Sequence, residues 1–331
     1  MDIGRLTIFD RSPAIFSDRS WRRAYVTPVF KAKGSRTHPA NYRPISITAV
    51  ASRLLERILA DRILRHCETN RLLDPRQFGF RAKRSTEILL VSTVDDWLTN
   101  FNNSRARTDV IFLDLKAAFD VVNHRFLVEK LRSFGISDEL RSWIASFLQD
   151  RVFCVRVGDA NSGWRGAASG VPQGSCIGPL LFLLYTSDLR CAIAEGVSHA
   201  SFADDTQLYA DVALESRRDA LQISLDNIER WTKTWKFTLS PSKSATAHIL
   251  HHEPHAYRIF DEHIPEVASV RVLGYLLSED LRPETHLRDV LARAGRTADF
   301  IIRAFECRIP DVYIKAYRAL VIPLLLYASP V

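Results

Sequence analysis

Cysteine is scarce in this chain and is nowhere arranged for metal binding. The 331 residues include five cysteines, and no two of them have the spacing of a zinc site or of a disulfide framework. We therefore predict neither zinc nor disulfides, and reduced thiols are typical of an intracellular protein. The cysteines are Cys67, Cys154, Cys176, Cys191 and Cys307.

Long apolar runs are also missing, as are internal repeats and low-complexity segments. Crossing a bilayer takes roughly 18 consecutive apolar residues, and the longest candidates, residues 177–185 and 320–327, are shorter. Residues 1–20 contain no apolar core of signal-peptide length. The sequence predicts an intracellular protein without a membrane segment, and both the nucleus and the cytoplasm remain open. The abrupt apolar end at Val331 suggests a fragment of a longer chain.

Positive charge is in mild excess. The chain has 45 Lys and Arg against 38 Asp and Glu, which gives a net charge of +7. The sharpest motif is nevertheless acidic, and a basic surface around an acidic centre suits an enzyme that acts on nucleic acid. A basic globular protein without such an activity fits the charge equally well.

The acidic motif consists of two adjacent carboxylates, Asp204 and Asp205, between short runs of strand-forming residues at 201–209 (SFADDTQLY). This pattern predicts a tight hairpin with both acids at its tip, because neighbouring side chains on a strand point to opposite faces. An Asp-Asp pair in a turn is commonly only solvated. A third acid, Asp114, ends an apolar stretch that is typical of a buried strand.

If this strand and the hairpin are neighbours in one sheet, the three carboxylates converge. Hard cations such as Mg²⁺ take carboxylate oxygens and keep positions for phosphate and water. Two ions roughly 3.5–4 Å apart could then serve phosphoryl transfer, one by lowering the pKa of an attacking hydroxyl and one by stabilising the leaving pyrophosphate. Without cations, three neighbouring carboxylates would repel one another.

Periodicity predicts several elements. Residues 117–134 predict a helix that Gly135 ends, residues 152–157 predict a short strand, and Pro28 inside the extended stretch 24–30 predicts an edge strand. Residues 49–67 predict another helix. Seven apolar residues of that helix are expected to face the core: Val50, Leu54, Leu55, Ile58, Leu59, Ile63 and Leu64.

Three loops carry residues suited to nucleotides or nucleic acid, although a plain turn explains each of them too. Basic side chains around a turn at Gly34 could grip a triphosphate; they are Lys31, Lys33, Arg36 and Arg43. Residues 77–81 (QFGFR) interleave aromatic and basic side chains, as the lining of a nucleic-acid channel does. Residues 169–175 (SGVPQGS) form a rigid turn that could place its backbone and the Gln173 amide against a base pair.

Five histidines near residue 250 resemble a metal cluster at first sight. They lie in a predicted strand and in a Pro-containing loop, without an acidic partner and without a HExxH helix, so we do not expect them to bind metal. The histidines are His248, His251, His252, His255 and His263.

The order of these motifs resembles that of reverse transcriptases. A strand that ends in Asp114 is followed by Pro-Gln-Gly at 172–174, Phe-Ala-Asp-Asp at 202–205, Lys243 and Leu-Gly at 273–274. The sequence around these motifs resembles that of non-LTR (LINE-type) retrotransposons over about residues 21–331. The stretches that carry this resemblance are 41–46 (NYRPIS), 77–81 (QFGFR), 114–120 (DLKAAFD) and 169–175 (SGVPQGS).

The resemblance implies an α+β fold of the right-hand polymerase class. It divides the chain into a lead-in segment (1–20), fingers (21–108), a palm (109–281) and a partial helical thumb (282–331). The palm is expected to hold an antiparallel sheet with packed helices, and an insertion next to the fingers at about 135–168.

The resemblance also implies the catalytic residues. Asp114, Asp204 and Asp205 would be the metal-binding triad, with the carbonyl of Leu115 near two Mg²⁺ ions that Mn²⁺ can replace. Phe119 has the position of the family's steric gate, which favours dNTPs over NTPs, although an ordinary core phenylalanine fits its spacing equally well. Asp120, the next residue, is expected to cap or brace the following helix rather than to bind metal.

Further contacts are implied for the substrates, which would be an RNA template, a DNA primer and dNTPs. The implied nucleotide-binding residues, besides Phe119, are Lys31 or Lys33, Arg43, Gln173 and Lys243. The implied primer and template contacts are Gly79, Arg81, Pro172, Gly174, Leu273 and Gly274. No membrane or zinc is expected, and the endonuclease of such elements is expected on another part of a parent polyprotein.

Three functions therefore compete at this point. An active RNA-directed DNA polymerase explains all the motifs. A catalytically silent relic that only binds RNA or DNA is the alternative, although none of the catalytic positions is lost. A two-metal nuclease explains the acids, but neither the Pro-Gln-Gly turn nor the basic cluster near Gly34.

Overall fold

The computed structural model describes residues 19–32, 34–104, 107–251, 253–305 and 309–331. Residues 1–18 of the predicted lead-in segment, Lys33, His252 and Cys307 lie outside these ranges. No helix in the described part of the chain is both long enough and apolar enough to cross a membrane.

Helices and mainly antiparallel strands alternate along the described residues, which confirms the α+β class. The strands are β1 (Arg23–Phe30), β2 (Tyr42–Ile47), β3 (Thr108–Leu113), β4 (Val152–Val157), β5 (Ala160–Asn161), β6 (Arg165–Gly166), β7 (Ser198–Phe202), β8 (Asp205–Asp211), β9 (Ala245–Ile249), β10 (Arg258–Ile259), β11 (Glu262–His263), β12 (Ser269–Val272) and β13 (Tyr275–Ser278). The α-helices are α1 (Val50–Thr69), α2 (Thr86–Ser104), α3 (His124–Ser133), α4 (Asp138–Leu148), α5 (Gly178–Thr186), α6 (Glu215–Trp235), α7 (Glu284–Ala304), α8 (Pro310–Leu320) and α9 (Ile322–Leu326). Short 3₁₀ helices cover Arg19–Arg22, Pro39–Asn41 and Leu189–Ala192.

The described chain divides into two compact units. The first unit contains the residues up to Phe80 together with Leu115–Ala192 and Ile228–Leu239, and the second contains Arg81–Asp114, Ile193–Asn227 and Ser240–Val331. The predicted limits of fingers, palm and thumb stay a prediction.

The second unit is built around a four-stranded antiparallel sheet in the order β7-β8-β3-β9. Strand β3 is central and buried along almost its whole length, which explains why its sequence is an apolar run rather than an alternating one. Strands β12 and β13 form a separate hairpin in the same unit. The sheet fixes the surroundings of the residue that follows β3, which is Asp114.

The first unit contains a mixed sheet in the order β2-β1-β4-β5, with β6 also paired to β4. The prediction that β1 is an edge strand is wrong, because β1 pairs with β2 on one side and with β4 on the other. Pairing with β4 ends at Val26, however, and Pro28 lies beyond it, opposite Pro44 of β2. Pro28 therefore occupies the part of β1 that has a partner on one side only, where a missing N–H is tolerated.

Helix α1 faces inward with a partly polar surface. Its buried residues are Ser52, Glu56, Leu59, Ile63 and Cys67. The predicted core face is wrong for Val50, Leu54 and Ile58, which are 66%, 64% and 43% exposed. Periodicity located the helix but not its orientation, because two polar residues occupy the inner face of its first turns.

The buried polar pair of α1 holds the start of α5. Ser52 donates its hydroxyl hydrogen to Glu56 Oε1 at 2.7 Å, and Glu56 Oε2 accepts the backbone N–H of Cys176 at 2.8 Å. The N–H groups that precede a helix have no partner within it, so a carboxylate from another helix satisfies one of them. Glu56 thereby anchors the segment that follows the Pro-Gln-Gly turn.

We predict that Glu56→Ala destabilises the protein by about 1–3 kcal/mol, because the substitution leaves the half-buried N–H of Cys176 without this acceptor. Urea denaturation would measure the free energy of unfolding. The control is Asp61→Ala on the exposed side of the same helix, for which a change below about 0.5 kcal/mol is expected. Equal effects of the two substitutions would contradict the anchoring role.

Candidate active site

The hairpin predicted around the two adjacent acids is present. Phe202 at the end of β7 pairs with Asp205 at the start of β8, so Ala203 and Asp204 form a two-residue turn. Ala203 adopts a positive φ of 59°, which such tight turns require at a central position. Asp204 is half-buried at the tip, and Asp205 is exposed on the first position of β8.

Asp114 stands beside this hairpin. Leu113 pairs with Thr206 in the antiparallel ladder of β3 and β8, so the next residue on each strand, Asp114 and Asp205, are neighbours at the end of that ladder. Adjacent strands lie about 4.8 Å apart. The strand and the hairpin are neighbours in one sheet, as predicted. Their pairing brings acids that are far apart in the sequence to the same end of that sheet.

The turn before β9 holds Asp114 in place. The Asp114 N–H donates to Ser244 Oγ at 3.3 Å, and the Asp114 carbonyl accepts the N–H of Ser240 at 2.9 Å. The same turn carries Lys243, whose Nζ lies 4.0 Å from Asp114 Oδ2. Both side chains are partly solvated, at 68% and 38% exposure, so their attraction is weak and the lysine can exchange one anion for another.

A cleft of about 180 Å³ opens at this edge of the sheet. Asp114, Asp205 and Lys243 line it together with residues Val270, Arg271, Val272 and Leu273 of the β12–β13 hairpin. Asp204 is not among its lining residues. The predicted Leu273 and Gly274 form the turn of that hairpin, where Leu273 and Gly274 have φ of 48° and 93°, and the Leu273 carbonyl accepts the hydroxyl hydrogen of Tyr327.

The donor set at this cleft fits a hard divalent cation. Carboxylate oxygens on partly solvated residues leave room for water and phosphate ligands, as Mg²⁺ requires. Strand register brings the three acids to the same end of the sheet. They are not among the sets of three described ligand groups whose atoms all lie within 4.8 Å of one another.

Other predicted residues belong to the first unit. The half-buried Phe119 stacks on Phe182 with ring centroids 4.3 Å apart, and it meets the edge of Phe80 at 6.1 Å. Lys31 is exposed and donates through Nζ to the carbonyl of Ala40 at 2.9 Å, and Arg43 is exposed on β2. Leu115 forms an isolated bridge with Leu239.

The Pro-Gln-Gly turn is pinned to β2. The backbone carbonyl of Gln173 accepts the N–H of Ser46 at 2.6 Å. A Cβ at Gly174 would lie 2.6 Å from the Ser46 carbonyl oxygen, and Gly174 has a φ of 106°, so only glycine fits there. Pro172 is half-buried beside it. In the other predicted loop, the buried Gly79 donates its N–H to Gln77 Oε1 at 2.8 Å, and Arg81 is half-buried.

Two of the histidines near residue 250, His248 and His251, do have an acidic partner, and the prediction that it is missing is wrong for these two. Asp109 on β3 is opposite His248 on β9 and is fully buried. Its Oδ1 accepts from His248 Nδ1 at 2.7 Å and from His251 Nε2 at 2.9 Å, and its Oδ2 accepts from the Tyr257 hydroxyl at 2.6 Å. The sequence signal that could have revealed this cluster is Asp109 itself, a charged residue at the start of a strand that is otherwise buried.

The distances from the Asp109 oxygens to their partners are those of direct hydrogen bonds, not those between two ligands of one metal ion. Two ligands of a tetrahedral metal with bonds of about 2.0–2.1 Å are roughly 3.3 Å apart, which is wider than the contacts to Asp109. His251 uses its second nitrogen, Nδ1, to accept the N–H of Glu253 at 3.3 Å. The second nitrogen of His248, Nε2, is buried and lies 3.8 Å from Glu266 Oε2.

Asp109 and His248 shift each other's protonation. Burial alone would raise the pKa of Asp109, but hydrogen bonds from His248, His251 and Tyr257 outweigh it and hold the pKa well below its ordinary value. Burial alone would lower the pKa of His248, but the hydrogen bond and charge of Asp109 outweigh it and raise the pKa above 6.5. Each group thus favours the charged form of the other.

We predict that His248→Gln makes stability less dependent on pH. A raised folded-state pKa means that the proton on His248 stabilises the fold fully below pH 6.5, and that this contribution is lost as pH rises through the folded-state pKa. The stability advantage of the unmodified protein over the variant should therefore shrink as the pH rises above about 6.5. Urea unfolding across that range is the measurement. His263→Gln, on the exposed β11, is the control, and a constant difference would contradict the assignment.

A comparison with protein families gives one match over most of the chain. The model of the family described as "Reverse transcriptase (RNA-dependent DNA polymerase)" matches residues 31–277. Among curated proteins, the chain is 30% identical over 285 residues to the "Probable RNA-directed DNA polymerase from transposon X-element" of Drosophila melanogaster, which covers 82% of this chain and 30% of that protein. It is 30% identical over 304 residues to the "RNA-directed DNA polymerase from mobile element jockey" of Drosophila funebris, covering 88% of this chain and 33% of that protein. The chain thus spans about a third of the length of these relatives.

Solved structures show the same fold at low sequence identity. A telomerase from Candida tropicalis, solved in complex with a fragment of telomeric RNA, superposes with a TM-score of 0.55 at 9% identity, over 91% of this chain and 53% of that chain. The apo form of a C-terminally truncated telomerase from the same organism gives a TM-score of 0.54 at 10% identity, over 79% of this chain and 54% of that chain. The likeness confirms the right-hand polymerase class.

Proposed function

The chain belongs to the reverse transcriptase family, and from this premise we propose that it is an RNA-directed DNA polymerase that adds dNTPs to the 3′-hydroxyl of a primer. The observation that carries the proposal is the register of β3 with β8, which makes Asp114 and Asp205 neighbours at a cleft beside Lys243. The curated relatives are RNA-directed DNA polymerases by name. A nuclease would need the acids, but not the pinned Pro-Gln-Gly turn.

Asp114, Asp204 and Asp205 would hold Mg²⁺, or Mn²⁺ in its place, with the carbonyl of Leu115 as a further oxygen ligand. When bound, these cations supply positive charge to the triphosphate and lower the pKa of the attacking hydroxyl. The chain's own contribution is to fix the carboxylates: strand pairing sets Asp114 against Asp205, and the Ser240 and Ser244 contacts hold the Asp114 backbone.

Basic residues take the phosphates in this proposal. Lys243 is 68% exposed and has only a weak ion pair with Asp114, so it can turn to a nucleotide phosphate without a large loss of free energy. Lys31 or Lys33, together with Arg43, would bind the triphosphate from the fingers, since Arg offers a two-pronged donor and Lys a point charge.

Selection and alignment of the substrates fall to the remaining residues. Phe119 would crowd a 2′-hydroxyl, and its stacking on Phe182 keeps its ring from swinging away. Gln173 would contact the incoming nucleotide and its template base. Gly79, Arg81, Pro172, Gly174, Leu273 and Gly274 would contact the primer or the template. The net charge of +7 and the telomeric RNA fragment bound by a structural neighbour support a nucleic-acid partner.

The division into fingers (21–108), palm (109–281) and a partial thumb (282–331) is part of the same proposal. Because the curated relatives are about three times as long as this chain, we place an endonuclease outside these residues. The direct test is the incorporation of dNTPs on a primed RNA template with Mg²⁺ or Mn²⁺. A folded protein that binds this template but never extends the primer would instead support a silent nucleic-acid-binding relic.

We predict that Asp114→Ala, or Asp204→Ala, abolishes primer extension while the protein stays folded, because each change removes a cation ligand and relieves repulsion among acids. The loss should reach at least about a thousandfold in rate, as expected when charge stabilisation of the transition state is removed. Asp219→Asn, at an exposed position of α6, is the control and should extend normally. Substantial extension by either alanine variant would refute the triad.

We predict that Phe119→Val increases the use of ribonucleotides, because a smaller side chain leaves room for the 2′-hydroxyl. The measurement is the ratio of kcat/KM for a dNTP to that for the matching NTP, which should fall by about tenfold or more. Phe80→Val, at the neighbouring ring, is the control for a general loosening of the aromatic contacts. Unchanged sugar selectivity in the Phe119 variant would remove this residue from the role.

A further inference from the structure

Asp120 does not have the role expected from its place after Phe119. Helix α3 begins after Asn123, whose side chain accepts the N–H of Phe126 at 3.1 Å, so Asn123 and not Asp120 is its cap. The Asp120 side chain instead reaches the Pro-Gln-Gly turn. Its Oδ1 accepts a hydrogen bond from Gln173 Nε2 at 2.9 Å.

This contact settles the orientation of an amide group that would otherwise be free to flip. An ionised carboxylate only accepts hydrogen bonds, whereas an amide has one accepting and one donating end. The NH₂ group of Gln173 must therefore face Asp120, and its Oε1 must point away as an acceptor. The Gln173 backbone cannot compensate by rotating, because its carbonyl is held by the N–H of Ser46 at 2.6 Å.

The backbone of the same segment supports the rest of the loop. The carbonyl of Asp120 accepts from Ser169 Oγ at 2.9 Å, and a Cβ at Gly170 would lie 2.7 Å from that carbonyl oxygen. The N–H of Gly170 donates to the Val122 carbonyl at 2.8 Å, and the N–H of Val171 donates to the Phe119 carbonyl at 2.9 Å. Asp120 and Gln173 also share the wall of a cavity of about 390 Å³ in the first unit.

We propose that Asp120 is a positioning residue that holds the Gln173 amide with its oxygen toward the substrate, so that Gln173 recognises a hydroxyl or amino hydrogen of the nucleotide or its paired base. The inference rests on the proposed polymerase function and deepens it. Asp120 does not touch the substrate itself, and its effect passes entirely through Gln173. The Asp120 carboxylate thus determines which end of the Gln173 amide, the donor or the acceptor, faces the substrate.

A double-mutant cycle tests this dependence in the full chain on a primed RNA template with Mg²⁺. The variants are Asp120→Leu, Gln173→Ala and the two combined, with Asp159→Asn on the exposed β4–β5 turn as the control. Asp120→Leu should raise the KM for dNTPs by roughly three- to tenfold, with kcat changed by less than about twofold. In the Gln173→Ala background the same change should add less than about twofold.

A second variant guards against simple loss of structure. Asp120→Asn keeps the size of the side chain and can still accept from Gln173, but its own NH₂ also permits the flipped amide. Its KM should lie between those of the unmodified protein and Asp120→Leu. Melting temperatures of all variants should stay close to that of the unmodified protein, since the Asp120 side chain is exposed.

The outcomes separate the inference from the function beneath it. If the unmodified protein extends primers but the effects of Asp120→Leu and Gln173→Ala multiply, Asp120 acts independently of Gln173 and the inference alone is overturned. The same holds if Asp120→Leu lowers kcat and melting temperature without changing KM. If the unmodified protein does not extend any primer, the proposed function fails and the inference fails with it.

Discussion

Strand β3 is hydrogen-bonded along both edges, to β8 and to β9, and the positions of the charged groups in the second unit depend on this double register. Because side chains alternate between the faces of a sheet, a slip of one residue would turn every side chain of the strand to the opposite face. The buried apolar residues of β3 make such a slip costly. The acid that follows the strand is therefore positioned by packing that has no chemical role itself.

Asp109 and Asp114, at the start of β3 and just after its end, show how burial separates structural from chemical roles. Asp109 and Asp114 are about 17 Å apart along the strand direction. The side chain of Asp109 is 0% exposed and already accepts hydrogen bonds from two imidazoles and a phenol. The side chain of Asp114 is 38% exposed and has one weak ion pair. Only the second arrangement leaves a carboxylate free to take part in a reaction.

Local sequence predicted the elements that have a local cause. The strand at 152–157 and the hairpin around Asp204 follow from β-forming residues bounded by turns, and both are present. The helix expected at 117–134 begins only at His124. Ala117 adopts a positive φ of 48°, and the intervening residues give their backbone groups to the Pro-Gln-Gly loop instead of to a helix. That competition comes from residues some fifty positions away.

The features that the sequence could not predict are all set by distant partners. Glu56 turns the inner face of α1 polar because it binds Cys176, and Asp109 gathers histidines that are separate from it in the sequence. The candidate catalytic acids were easier to predict, since the order of their motifs along the chain matched that of a known family. Motif order could identify Gln173 as a residue of interest, but not the carboxylate that orients its amide.

The contact between Gly174 and the Ser46 carbonyl has a consequence at the level of the gene. Any side chain at residue 174 would meet backbone, which no rotamer change can move aside. Every non-silent single-nucleotide change in a glycine codon either introduces a residue with a Cβ or stops translation. For a copy of this gene under selection for a working loop, that codon can drift only in its third base.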